Sequence, residues 1–290
     1  MENEITSRIA VALNAELIGV EAARPTEHPD ALHYLMLGRE ALWKSPTAES
    51  YAEAVGFFER AVMLEPASVE ARSLLAGTLS ARAIFNFTGS AAADLVRAET
   101  LVGQALAASP LNPSAHHAKG QLLYAQHRCD GAIPEFETVI AFNPNSAWAL
   151  ALLGCCKFYV GSSEEGLPLL EQAVRLSPRD PQIGYLTVRL GLLYLLLSRI
   201  DEAIIWLSKA RSTAPALPFV HLFLASAYGL KGETERAHGE LVEVSRLNGP
   251  GHVSSITELR ANLRHGSPEA DAQFETTVFA GLRKAGLPEE

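Results

Sequence analysis

The residues best equipped for chemistry are few, and their spacing works against them. His116-His117 is the nearest thing to a metal pair, and Cys155-Cys156 the nearest thing to a redox pair. A metal needs imidazole or thiolate ligands that converge on one point. Adjacent residues on a helix point about 100° apart, so neither doublet aims both side chains at one ion. In the repeat frame set out below, His116 faces the interior of its unit and His117 faces a groove. The cysteines read as small core residues; Cys129 lies beside a turn between Arg128 and Asp130, the setting of a mildly activated thiol at most. Carboxylates pair at Glu164-Glu165, Glu135/Glu137 and Glu289-Glu290. At turns and helix starts such groups are solvated or stabilise helix N-termini. Asn86-Phe87-Thr88 fits a glycosylation acceptor, which is incidental in a cytoplasmic chain. No HExxH or GxGxxG is present, and Gly229-Leu-Lys-Gly232 lacks the frame of a phosphate loop. No catalytic residue, metal site or cofactor is expected, and the chain is read as not an enzyme.

The elements that carry these residues follow a period. Pro110, Pro144 and Pro178 stand 34 residues apart, each closing a phrase of one kind: Ala-Leu-Ala-Ala-Ser-Pro, Val-Ile-Ala-Phe-Asn-Pro, Ala-Val-Arg-Leu-Ser-Pro. Pro66 and Pro215 close the same phrase at spacings of 44 and 37. Proline removes a backbone donor and restricts the residue before it, so each one ends a helix. In the unit from Pro113 to Pro144, Gly120 allows close approach of two helices, and Ala132, Phe136 and Val139 line the second helix at i, i+4 and i+7. The next unit repeats the frame with Leu153, Gly154, Gly166, Leu170, Ala173 and Pro178. Four looser units contribute Gly38, Ala54, Phe58 and Ala61; Leu75, Ala76, Leu79, Ala98 and Ala105; Gly191, Ala203, Leu207 and Ala210; and Leu224, Ala225, Ala237 and Val244. The first has about four extra residues around Trp43–Ser50, and the second a longer insertion through Ala83–Ala93.

Composition narrows the function classes. With 48% hydrophobic and 20% charged residues the chain can bury a core, which argues against disorder. A net charge of −9 disfavours nucleic acid and anionic membrane surfaces as partners. Three cysteines without a CxxC pair suit a reducing compartment. There is no secretory signal pattern, and the most apolar stretch, Ile183–Leu197, contains Arg189 and is too short for a membrane span. The chain is read as cytoplasmic.

The repeated residues resemble the tetratricopeptide repeat family over roughly Ala31–Leu247. The resemblance implies an all-α solenoid: about six antiparallel helix pairs in a right-handed superhelix, with capping helices at both ends. Residues 1–25 read as an N-terminal amphipathic helix, with Ile5, Ile9, Leu13 and Leu17 four apart. Residues 31–247 are the array. Residues 248–290 are C-terminal caps, with helices expected over Ser254–Arg264 and Pro268–Lys284. Ile5–Leu17 and Phe279–Glu290 further resemble parts of rhizobial signalling proteins. In those proteins a nucleotide cyclase or winged-helix domain precedes a TolB-like region and a repeat array.

In the family the first helix of each pair lines the concave face. Carried over, the frame gives small and polar residues early (Ser73, Gly77, Ser80, Ser114, His117, Gln121) and a larger apolar strip later. That strip is Tyr124, Trp148, Phe158, Tyr159, Tyr185, Val188, Leu192, Leu195, Phe219 and Leu222. An exposed strip of this kind marks a binding surface. Three occupants stay open: a foreign peptide or helix, a sister subunit in a homodimer, or the chain's own C-terminal helix through Phe274, Val278, Phe279 and Leu282. The basic clamp used by some members for acidic tails is missing. The expected role is a non-catalytic protein-interaction module of a bacterial signalling protein. A structural connector or oligomerisation scaffold is the alternative. An enzyme with an unrecognised site near Ala83–Ala93 is the remote one.

Overall fold

The computed structural model describes residues 19, 29–43, 46–178, 180–247, 254–263 and 266–290. Apart from Gly19, the helix expected near the N-terminus lies outside them. Among the described residues every regular element is helical. Six hairpins run in chain order: α1 (Ala31–Trp43) with α2 (Ala48–Leu64), α3 (Val69–Ile84) with α4 (Ala91–Ala108), α5 (Pro113–Ala125) with α6 (Cys129–Phe142), α7 (Ala147–Tyr159) with α8 (Ser163–Leu176), α9 (Ile183–Leu196) with α10 (Ile200–Thr213), and α11 (Pro218–Lys231) with α12 (Thr234–Arg246). Beyond them lie α13 (Ile256–Asn262) and one helical rod made of α14 (Pro268–Phe274), a π-helical turn (Glu275–Phe279) and α15 (Ala280–Ala285).

Local chemistry explains where these helices start and stop. Thr47 and Ser50 form a reciprocal capping box at α2, and Ser68 and Asn112 cap α3 and α5 through their side chains. Each supplies an acceptor to a backbone N–H that a first helical turn leaves unpaired. The turns inside hairpins share one device. Asn86, His127, Gly161, Ser198 and Gly232 all take positive φ. The next residue's N–H reaches back five positions, as from Arg128 to Leu123, Ser162 to Lys157, Arg199 to Tyr194 and Glu233 to Tyr228. That is the Schellman closure, which consumes carbonyls orphaned at a helix end.

Packing follows the small positions. Ala54, Ala61, Ala98, Ala105, Ala132, Ala173, Ala203, Ala210 and Ala237 are all fully buried. A Cβ added to Gly38 would stand 2.3 Å from the Phe58 ring, and one added to Gly120 would stand 2.6 Å from the Phe136 ring. Each glycine is therefore the hole into which its partner helix's aromatic fits.

The chain divides into two compact units, one of residues up to Leu153 with Arg175–Gln182, the other of Gly154–Val174 with Ile183–Glu290. In the first unit α3 packs on both α4 and α5, and α6 closes on α5. In the second, α9 and α10 pair, α10 leans on α11, and α11 carries both α12 and α15. Two boundaries differ from expectation. The insertion of the second repeat is shorter than Ala83–Ala93, because α3 runs on to Ile84; its turn holds Phe85 and Phe87 against Tyr51 at 5.8 and 5.4 Å. The last helix contains the π-helical turn, where a uniform α-helix was expected.

Candidate functional site

Nothing on the predicted strip is fully exposed: five of its ten residues are buried and five half-buried. In the first unit, Tyr124 on α5 is buried. Trp148, at the start of α7, is half-buried and meets Phe85 edge-on at 6.2 Å. Trp148 also hydrogen-bonds Asp180. The Arg175–Gln182 segment is fastened to the first hairpin. The Gln182 amide donates to the Leu42 carbonyl at 3.1 Å and accepts from the Tyr51 hydroxyl at 3.4 Å. Asp180 is buried in this arrangement, and burial raises its carboxyl pKa against the opposing bonds from the Gln182 N–H and Trp148.

Because the folded pKa of Asp180 lies above its unfolded value, the folded state binds that proton more tightly, and this group's contribution becomes more favourable as pH falls. Asp180→Asn should therefore raise the urea midpoint at neutral pH, with the gap to wild type closing in acid. A midpoint lowered to the same extent at both pH values would show that the ionised carboxylate's hydrogen bonds outweigh its desolvation.

In the second unit Phe158, Val188, Leu195 and Leu222 are buried, and Tyr159, Tyr185, Leu192 and Phe219 are half-buried. The C-terminal rod lies on this face. Phe274 meets Phe158 edge-on at 5.8 Å and stacks on Tyr159 at 6.5 Å. The Ser267 N–H donates to the Tyr159 carbonyl at 2.7 Å, and the Ser226 hydroxyl donates to the Val278 carbonyl at 3.0 Å. The π-helical turn touches α9 and α11. Phe274, Val278, Phe279 and Leu282 are all buried. Burial also pushes the Tyr185 hydroxyl up to about 12.

The chain's last residues fasten this rod. Arg283 binds Glu289 through two nitrogens at 2.9 and 3.0 Å and Glu275 at 2.8 Å; Arg260 on α13 also holds Glu275, at 2.9 Å. The N–H groups of Ile256 and Thr257 donate to the carbonyls of Pro288 and Glu289 at 2.9 and 3.0 Å. Those N–H groups belong to the start of α13 and have no partner within the helix.

The two rings of the histidine doublet meet different partners. His117 is half-buried against Phe136, with ring centroids 6.0 Å apart, and loss of solvation lowers its pKa to about 4. His116 turns the other way: Nδ1 lies 2.5 Å from a Glu135 oxygen and Nε2 lies 2.9 Å from the Pro110 carbonyl. The same constellation recurs at His221, with Nδ1 2.6 Å from Glu240 and Nε2 2.9 Å from the Pro215 carbonyl. Sequence reasoning missed this pair of clamps, although both keep one spacing: His six residues after the closing proline and Glu 19 residues after the His. Cys129, Cys155 and Cys156 are buried thiols. Among the described residues no three His, Cys, Asp or Glu converge as a metal site, and no described helix is long and apolar enough to cross a membrane.

Residues 90–147 and 151–218 match the tetratricopeptide repeat family. No curated protein matches the chain. Among solved structures, the APC/C hetero-tetramer Cut9-Hcn1 superposes with a TM-score of 0.63 at 17% identity, over 86% of this chain and 43% of that one. The chain thus spans less than half the length of that relative. PilF of Pseudomonas aeruginosa gives 0.55 at 16% identity, over 80% of this chain and 97% of that one. TTC0263, a thermophilic repeat protein of Thermus thermophilus, gives 0.50 at 24% identity, over 68% and 98%. At these identities fold is what is shared. The matched repeats and the hairpin architecture support the tetratricopeptide family and make this an all-α solenoid of that type. Such repeats generally mediate protein–protein interaction.

Proposed function

We propose that this chain is a non-catalytic protein-interaction module of a bacterial, cytoplasmic signalling protein. Its first-helix face holds an amphipathic helix, and the chain's own C-terminal rod occupies that seat in the second unit. The observation that carries this reading is the rod's placement: four large apolar side chains, Phe274, Val278, Phe279 and Leu282, buried against the face that includes Phe158, Tyr159 and Leu222. A surface that accepts one amphipathic helix through spaced apolar anchors has the chemistry to accept another. A partner helix, or the same helix of a sister subunit, would compete with the resident. The signalling context rests on the resemblance of the two chain ends to rhizobial signalling proteins.

Affinity capture from source-cell lysate tests this with three full-length chains. A Phe274→Ala, Phe279→Ala chain has a weakened resident and should retain a protein that wild type retains poorly. Adding Tyr159→Glu should abolish that retention while circular dichroism shows the hairpins intact. Equal retention by all three would place partner binding away from this face.

A further inference from the structure

We propose that the His221–Glu240 clamp is a proton-dependent lock on the last repeat, and through it on the seat of the C-terminal helix. The inference rests on geometry within the second unit and holds whether or not a partner competes for that seat. Three elements meet at His221: the turn that closes the fifth repeat, through the Pro215 carbonyl; α11, which carries the ring; and α12, which carries Glu240. Arg211 on α10 binds the other Glu240 oxygen. Both His221 and Glu240 are buried.

A proton count shows what holds the clamp. A carbonyl only accepts, so Nε2 carries a hydrogen toward Pro215. The bond between Nδ1 and the carboxylate then needs a second proton, on the ring or on Glu240. A neutral ring has only one N–H left to serve two acceptors, the Glu240 carboxylate and the Pro215 carbonyl. Losing that one proton therefore breaks either the α11–α12 link or the link to the turn at Pro215, and with it the three-element clamp. The release has a route to solvent, since Arg211, His221, Tyr228, Arg236, Glu240 and Glu243 line an open cavity of about 530 Å³.

The surrounding charges favour keeping the proton. The hydrogen bond that the ring donates to Glu240 comes first in raising the His221 pKa above its ordinary value. Burial opposes it, and the Pro215 carbonyl and the charges of Glu240 and Glu243 add to it. On the other elements packed against α11, Arg189 of α9 bonds the Tyr185 carbonyl, and Arg283 and Glu275 of the rod bind each other. Arg236 of α12 lies over the Tyr228 ring and pairs with Glu233.

The chain supplies its own comparison. In the fourth repeat the positions equivalent to His221 and Glu240 are Leu150 and Leu169, and in the fifth, whose frame runs three residues longer after its proline, they are Thr187 and Trp206. The frame thus folds without ionisable groups there. Buried ion pairs are often no more stabilising than apolar pairs of similar size, but breaking one by removing a partner is strongly destabilising. A His–Glu pair at a place that tolerates leucines makes the join conditional on a proton. The consequence reaches the C-terminal rod, because α11 also presents Ser226 and Gly229 to Val278 and Gly281.

The sign is fixed by linkage. A raised folded pKa gives stability that is fully present below the unfolded pKa and lost as pH rises through the folded value. Hydrogen exchange corrected for intrinsic rates, at about pH 6 and about pH 9, should show protection of 218–246 and 268–285 falling in wild type by roughly tenfold per unit of pKa displacement. Protection of α1 and α2 should not change in that way. A His221→Leu, Glu240→Leu chain, written in the residues of the fourth repeat, should show no such fall. Wild-type protection that ignores pH, or an equal fall in the leucine chain, overturns the lock. Should the leucine chain not fold, NMR titration of the wild-type His221 ring decides. Its midpoint must coincide with the loss of protection, and a midpoint elsewhere overturns the proposal.

Discussion

Gly281→Val should lift the C-terminal rod from the second unit while leaving α9 to α12 helical. A Cβ at Gly281 would stand 2.3 Å from the Ser226 carbonyl oxygen and 2.4 Å from the Ser226 hydroxyl. Backbone stands on the other side too, since a Cβ at Gly229 would be 2.2 Å from the Gly281 carbonyl. Neither helix can yield without losing the contact. Overpacking of side chains alone costs about 1–3 kcal/mol, and here the obstacle is backbone. The rod holds its place by burying Phe274, Val278, Phe279 and Leu282. These contribute at most about 1.5–3 kcal/mol each, as an upper estimate from area. Once the closest contact is blocked, the ion network of Arg260, Glu275, Arg283 and Glu289 is too exposed to hold the rod alone, because exposed pairs are worth about 0–1 kcal/mol. The expected signature is lost exchange protection over 268–285, binding of an apolar dye, and concentration-dependent association through the uncovered face. Unchanged protection over 268–285 would mean that the helix pair tolerates a wider spacing than the structure gives it.

What was legible in the sequence is what repeats. Pro66, Pro110, Pro144, Pro178 and Pro215 marked the ends of second helices. The alanines expected at close approaches are the fully buried ones. Those features depend on contacts within a hairpin or between neighbours, so each recurs with the period and can be seen against it. The parts that stayed hidden are contacts made once. Gln182 reaches Tyr51 and Leu42 across 131 and 140 residues, with no second instance to reveal the rule. The π-helical turn lies where Glu275–Phe279 meets α9 and α11, and no local propensity announces it. The occupant of the apolar strip was left open between a foreign helix, a sister subunit and the chain's own C-terminal helix, because it depends on whether Phe274 and its neighbours fold back, which is a tertiary outcome. The His–Glu clamps fall between these cases. They are periodic, at one His–Glu spacing in two repeats, yet the family frame has no place for them and drew attention to His116-His117 as a doublet instead.

The interior of the third repeat gives the second large effect, in the form of a cycle. Phe136 is fully buried, and its ring fills the space that Gly120 leaves open. Phe136→Ala should destabilise the chain by about 3–5 kcal/mol through lost transfer energy and the cavity left behind. Gly120→Ala should destabilise it as well, by about 1–3 kcal/mol, because its Cβ would stand 2.6 Å from the ring. The two faults are opposite in sign of volume, so they should not add. Gly120→Ala with Phe136→Leu should be more stable than the sum of the single changes predicts, with a coupling of about 0.5–3 kcal/mol. The chain already uses a smaller partner elsewhere: Gly191 faces Leu207, where an added Cβ would stand 2.6 Å from Cγ, and Gly154 faces Leu170 at 3.1 Å with the Gly166 carbonyl oxygen nearer at 2.7 Å. Glycine and partner are therefore one unit of design, set by the distance between the two helices. Urea unfolding of wild type, Gly120→Ala, Phe136→Leu and the double variant measures the coupling. Strict additivity would show that the α5–α6 spacing is held by other contacts, such as Ala132 and Val139 against α5, and that the glycine position is tolerant.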